Sequence, residues 1–182
     1  MKVYVHFANG FEEIEALTVV DILRRAGIHT ETVSVSGDFM VTGAHGVPVQ
    51  TDILFDEADY ENCSMIVLPG GMPGTTNLAT HEGLTQKIKE FANSKKWIAA
   101  ICAAPMVLGE LGLLKGKTAV IYPGMEENLI NAKIGRNNVE IDEMVITSKG
   151  PGTAIEFALT LVKVLKDMST VNQLKSAMLL AK

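Results

Sequence analysis

Two short stretches restrict the fold more than anything else in the chain. Residues 64–68 (SMIVL) and 97–101 (WIAAI) are apolar on successive residues rather than on alternate ones. An extended strand sends successive side chains to opposite faces, so such a strand needs cover on both. Helices supply that cover in a sheet of largely parallel strands. Each stretch runs straight into small or turn-forming residues, Pro69-Gly70-Gly71 after the first and Cys102-Ala103-Ala104-Pro105 after the second. The chain therefore predicts an α/β sandwich, doubly wound and mostly parallel, with helices on both faces. Ligands bind beyond the carboxyl ends of the strands in such sheets. The tips after Phe7, Leu68, Ile101 and Tyr122 are the places to look.

The remaining signals alternate as this architecture requires. Strands are expected at 2–7, 29–35, 117–122, 139–141 and 144–148, and helices at 12–26, 81–95, 103–112 and 152–167. Gly27 stops the first helix as its C′ residue. Gly43, Gly46 and Pro48 punctuate a β-hairpin excursion at 38–51. Residues 124–135 have room for a short helix. Ser169 or Thr170 caps a last helix with Val171, Leu174 and Met178 on one face.

Composition sets the class of partner. With 182 residues, 47% hydrophobic and 20% charged, the chain reads as one folded domain spanning 1–182. Sixteen basic and 21 acidic residues give a net charge of −5, and no basic run exceeds two residues. Nucleic acid is not the expected main partner. Pro105, Gly109, Glu110 and Gly112 break the most apolar stretch, 97–114, so no membrane span is expected. The first residues lack the long apolar segment of a secretory signal. Two cysteines, Cys63 and Cys102, are too few for a disulfide scaffold. The expected location is cytoplasmic.

Four places could carry chemistry. Cys102 stands where a buried strand meets a helix, the position of a nucleophile elbow. N–H groups at that helix start favour a thiolate and could hold an oxyanion. A buried structural cysteine fits the same local sequence equally well. Glu15 falls on the apolar side of its helix, beside Val19 and between Ile22 and Ala26. A carboxyl there should titrate high and stay protonated near neutrality. The alternative is a first-turn glutamate serving the helix N-terminus, a role that suits Glu12 and Glu13 better. Leu68-Pro-Gly-Gly-Met-Pro-Gly74 could present N–H groups to a ligand or be a plain turn. Ser148-Lys-Gly-Pro-Gly-Thr153 could line the same crevice. Arg24-Arg25 reads as a solvated helix end, with an anion contact as the alternative. His6, His29, His45 and His81 make no metal-binding spacing, so no metal site is expected. Cys63 is expected to pack.

Together, Glu12-Glu-Ile-Glu15, Leu68-Pro-Gly-Gly71, Ala99-Ala-Ile-Cys-Ala-Ala-Pro105 and Ser148-Lys-Gly-Pro-Gly-Thr153 resemble the ThiJ/PfpI superfamily. Within it they resemble the parkinsonism-associated protein deglycase (DJ-one) branch. The resemblance covers nearly the whole chain, and Arg24-Arg-Ala-Gly-Ile28 and Val120-Ile-Tyr-Pro-Gly124 fit it too. It implies a flavodoxin-like homodimer with Cys102 as nucleophile and a protonated Glu15 at its sulfur. It implies N–H groups of Gly70, Gly71 and Ala103 around an oxyanion, Tyr122 at the substrate site, and Arg25 near an anion-binding spot. It implies cofactor-free conversion of a small dicarbonyl such as methylglyoxal, or removal of early glycation adducts. The alternative is an oxidative-stress sensor or chaperone acting through oxidation of Cys102, and a third class is a silent anion-binding crevice. Some members place a histidine where Tyr122 stands, and peptidase-like members place one where Ala103 stands. Their absence argues against a Cys-His-acid triad and against proteolysis.

Overall fold

The computed structural model describes residues 1–180. Its strands are β1 (Lys2–Phe7), β2 (His29–Ser34), β3 (Met40–Thr42), β4 (Pro48–Gln50), β5 (Ile53–Leu54), β6 (Cys63–Leu68), β7 (Trp97–Ile101), β8 (Thr118–Ala119), β9 (Lys133–Ile134), β10 (Val139–Asp142) and β11 (Val145–Ser148). Its α-helices are α1 (Glu13–Arg25), α2 (Gly74–Thr80), α3 (Glu82–Asn93), α4 (Pro105–Glu110), α5 (Ala154–Leu165) and α6 (Met168–Ala177). Seven strands form the main sheet in the order β10-β11-β7-β6-β1-β2-β5. All neighbours run parallel except β10 against β11. The expected flavodoxin-like, doubly wound sandwich is what the chain forms. β3 and β4 pair as the expected antiparallel hairpin excursion.

Strand alternation divides the core. Val3, Val5 and Phe7 of β1 pack on one side with Ile22, Leu23, Phe157 and Leu161 from α1 and α5. Tyr4, Ile66, Leu68 and Ala100 face the other side, against Leu78, Leu84, Ile88 and Leu108 from α2, α3 and α4. Each large side chain fully buried this way contributes roughly 1.5–3 kcal/mol. β2 and β6 flank β1 on opposite sides, so the chain changes winding direction there and opens a crevice at the strand ends.

Several boundaries differ from expectation. α2 occupies Gly74–Thr80, where no helix is expected, because packing of buried Leu78 outweighs the weak propensity of Gly-Thr-Thr-Asn. The expected strand at 117–122 is only two residues long and pairs with β9 in a separate two-stranded sheet. Residues 124–135 hold one 3-10 turn, Glu126–Asn128, rather than an α-helix. The last helix is capped by Asp167, whose carboxylate accepts from Thr170 N–H at 2.7 Å, not by Ser169 or Thr170. Asp167 lies one step ahead of the first helical φ/ψ, where a cap belongs.

Candidate active site

Cys102 follows β7 directly with φ at +63°, a left-handed conformation that residues with side chains seldom adopt. Such a residue costs of order 1–3 kcal/mol and persists only where its surroundings hold it. Main-chain bonds do so here. Cys102 N–H donates to Ser148 O at 2.9 Å, Tyr122 N–H donates to Cys102 O at 2.9 Å, and Ala104 N–H donates to Ile101 O at 3.0 Å. The side chain keeps partial exposure, whereas Cys63 is buried.

Glu15 lies in the first turn of α1 and is completely buried. Its Oε2 accepts the Gly70 N–H at 2.8 Å. Its Oε1 has no hydrogen-bond partner, and the carboxyl interacts with the Cys102 side chain. Burial raises Glu15 from 4.5 to about 7, against the opposing effects of Cys102 and the Gly70 N–H. Because Oε2 is an acceptor, the proton of the neutral acid belongs on Oε1.

The thiol corrects one expectation. α4 begins at Pro105, three residues past Cys102, and has only six residues. Proline brings no N–H, so the helix start does little for the sulfur. Burial and the Glu15 carboxylate push the thiol up to about 12, while the N–H groups of Ala103 and Gly71 act in the opposite direction. The first proton the pair loses near neutrality is therefore that of Glu15, and the thiol holds its own more tightly. When the charge sits on sulfur, Glu15 is neutral; its repulsion disappears and its O–H becomes a donor. The thiolate is a state of the pair rather than of a low-pKa cysteine standing alone.

Gly71 and Ala103 stand at the sulfur, but Gly70 has another role. Its N–H is taken by Glu15 Oε2, so Gly70 positions the acid rather than joining the free donors. A β-carbon on Gly70 would come within 2.5 Å of Cys102 Cβ and 2.8 Å of Glu15 Oε2. Gly71, at φ +91°, lies against the Gly10–Glu12 backbone. Tyr122, half exposed, forms one wall with Gly150. A β-carbon on Gly150 would lie 3.3 Å from the Tyr122 ring and 4.0 Å from Cys102 Sγ. The register Ser148↔Ile101 brings this loop beside the cysteine. Arg25 is not brought there. It ends α1, ten residues and about 15 Å of helix beyond Glu15, and pairs with exposed Asp21 at 2.6 Å.

One grouping has no counterpart in the sequence spacing. Glu12, Glu13 and His45 converge, with one ligand-type atom from each within 4.8 Å of the others. His45 arrives on the β3–β4 hairpin, 32 residues from Glu13. The histidine spacing that predicted no metal cluster was blind to this, because the partners are carboxylates on another element.

The DJ-1/PfpI family model matches residues 1–164. The chain belongs to this family. A glutathione-independent glyoxalase of Caenorhabditis elegans is 34% identical over 172 residues, covering 94% of this chain and 91% of the relative. A deglycase of Pyrococcus abyssi is 29% identical over 168 residues, covering 91% and 100%. An oxidized DJ-1 structure from Toxoplasma gondii superposes with a TM-score of 0.95 at 38% identity, covering 100% of this DJ-1/PfpI chain and 99% of that one. The chain spans less than half of two Arabidopsis thaliana DJ-1 homologs, 37% of homolog B at 38% identity and 46% of homolog A at 36%. Those matches cover 89% and 98% of the chain itself. No helix among the described residues is long and apolar enough to cross a membrane.

Proposed function

We propose that the protein is a cysteine-dependent enzyme of the glyoxalase and deglycase type, acting on methylglyoxal or on early glycation adducts. One observation carries this reading. A fully buried carboxyl with one oxygen fixed by Gly70 and the other unpartnered sits against the side chain of a strained, partly exposed cysteine. Such an acid can give and take a proton at a carbon next to the sulfur.

The sulfur of Cys102 attacks the aldehyde carbon and a C–S bond forms. N–H groups of Gly71 and Ala103 receive the developing oxyanion. Glu15 gives its proton to that oxyanion, forming the hemithioacetal hydroxyl and becoming a carboxylate. The carboxylate then takes the proton of the former aldehyde carbon and returns it to the adjacent carbon, while the hydroxyl proton passes to the former ketone oxygen. The former aldehyde carbon is oxidised to a thioester while the ketone carbon is reduced to a carbinol, so no outside oxidant is consumed. Water breaks the C–S bond and releases a 2-hydroxy acid. Tyr122 and Gly150 bound the space over the sulfur and favour a small substrate.

We also propose that the protein acts as a homodimer in the cytoplasm. Ile14 and Leu17 of α1, with Met40 and Val47 of the hairpin, expose apolar side chains that suit a second copy. A second reading is oxidation sensing. It is favoured by the same partly exposed sulfur, which a neutral Glu15 could stabilise as a sulfinate.

Turnover of methylglyoxal to lactate tests the enzyme reading. Cys102→Ala is expected to abolish it, and retention of activity in that variant refutes the mechanism.

A further inference from the structure

A continuous set of contacts links the protein surface to the buried acid. His45 is about two-thirds exposed on the hairpin, with 69% of its side chain accessible. Its Nδ1 lies 2.8 Å from Glu13 Oε2 and 3.6 Å from Glu12 Oε2. Its backbone N–H donates to Glu13 Oε1 at 2.8 Å, and Val47 N–H donates to the same oxygen at 3.4 Å. Gly43 leaves the room this carboxylate needs, since a β-carbon there would overlap it. Glu12 N–H in turn donates to Gly70 O at 2.9 Å, and Gly70 N–H donates to Glu15 Oε2 at 2.8 Å. One peptide unit after another therefore joins the His45 cluster to the acid.

The charges on this path are unbalanced without the histidine. Glu12 and Glu13 are each about nine-tenths buried, and they are the charged groups at the cap and first residue of α1 that face His45. The hairpin strands, MVT and PVQ, carry no ionisable side chain. Among the described residues, His45 is the basic side chain paired with these two carboxylates in the turn that bears Glu15.

We infer that His45 is a positioning residue for the Glu15–Cys102 pair, fastening the hairpin to the first turn of α1 and supplying the counter-charge beside Glu15. This rests on the reading of Glu15 and Cys102 as the reacting pair. Two electrostatic effects agree with it. Glu12 raises the Glu15 pKa, and the Glu13 and Glu12 carboxylates raise that of His45. Loss of the His45 cation leaves more negative potential around the pair and makes it hold its proton more tightly.

The test is the pH profile of Cys102 alkylation by iodoacetamide, followed by intact mass in wild type, His45→Gln, His45→Arg and Glu15→Gln. His45→Gln should move the midpoint upward by about half a unit, the size of one removed charge across a few residues. His45→Arg should not move it upward. The wild-type curve should follow His45→Arg at acid pH, approach His45→Gln at alkaline pH, and be shallower than either. Equal shifts in the two His45 variants, or none, overturn the inference. A profile unchanged in Glu15→Gln instead overturns the underlying reading of the pair.

Discussion

Glu15→Gln separates what the acid does for the reaction from what it costs the fold. Gln can keep the Gly70 hydrogen bond through its carbonyl oxygen and place an amide where the protonated oxygen stood. It therefore mimics the neutral acid and cannot ionise. In the wild type, the rise from 4.5 to about 7 means the folded state binds this proton more tightly than the unfolded state. Stability conferred by that proton is full below about pH 4.5 and is lost as pH climbs through about 7. At 1.36 kcal/mol per unit, the loss amounts to about 3 kcal/mol. Urea denaturation of both proteins at about pH 4.5 and about pH 8 measures it. The stability of Glu15→Gln relative to wild type should grow by about 3 kcal/mol between these conditions, while methylglyoxal turnover falls severely. Taking the difference removes His6, which works in the opposite direction. That fully buried histidine is lowered to about 3, so it makes the folded state gain stability as pH rises from about 3 to about 6.5. A difference that stays flat with pH, or shrinks, refutes a protonated buried Glu15.

Other changes probe the same site from different sides. Gly70→Ala places a β-carbon against both Cys102 and Glu15, so a loss of about 2 kcal/mol or more is expected in denaturation, together with loss of activity. Brief peroxide treatment should add oxygen at Cys102 and leave Cys63 untouched by peptide mass mapping, because Cys63 is buried whereas Cys102 keeps partial exposure. Ile14→Glu charges the exposed apolar face of α1; sedimentation is expected to give a dimer for the wild type and a monomer for this variant.

The readable parts of the sequence were those whose signal is local. Doubly apolar strands announce a covered parallel sheet, and a helical wheel alone puts Glu15 on the buried side of α1. The position of Cys102 at a strand end is equally local. Its ionisation is not, because the relevant neighbour is 87 positions away in sequence and the nearby helix is short. Gly70 shows the same limit from the other direction. Its place at the site follows from its strand, but the direction of its N–H depends on where Glu15 lands. Arg25 shares a helix with Glu15, yet helical rise alone separates the two. The Glu12–Glu13–His45 grouping depends on how a hairpin folds back over a helix start, which no periodicity records.

Cys102 is gripped on both sides by main chain alone, through Ser148 O and Tyr122 N. The side chain at position 122 has no part in that grip. Chemistry at the mouth and geometry at the cysteine are consequently independent variables in this architecture. A different residue at 122 can reshape what enters while the sulfur stays where the sheet puts it, leaving substrate choice open to change one side chain at a time.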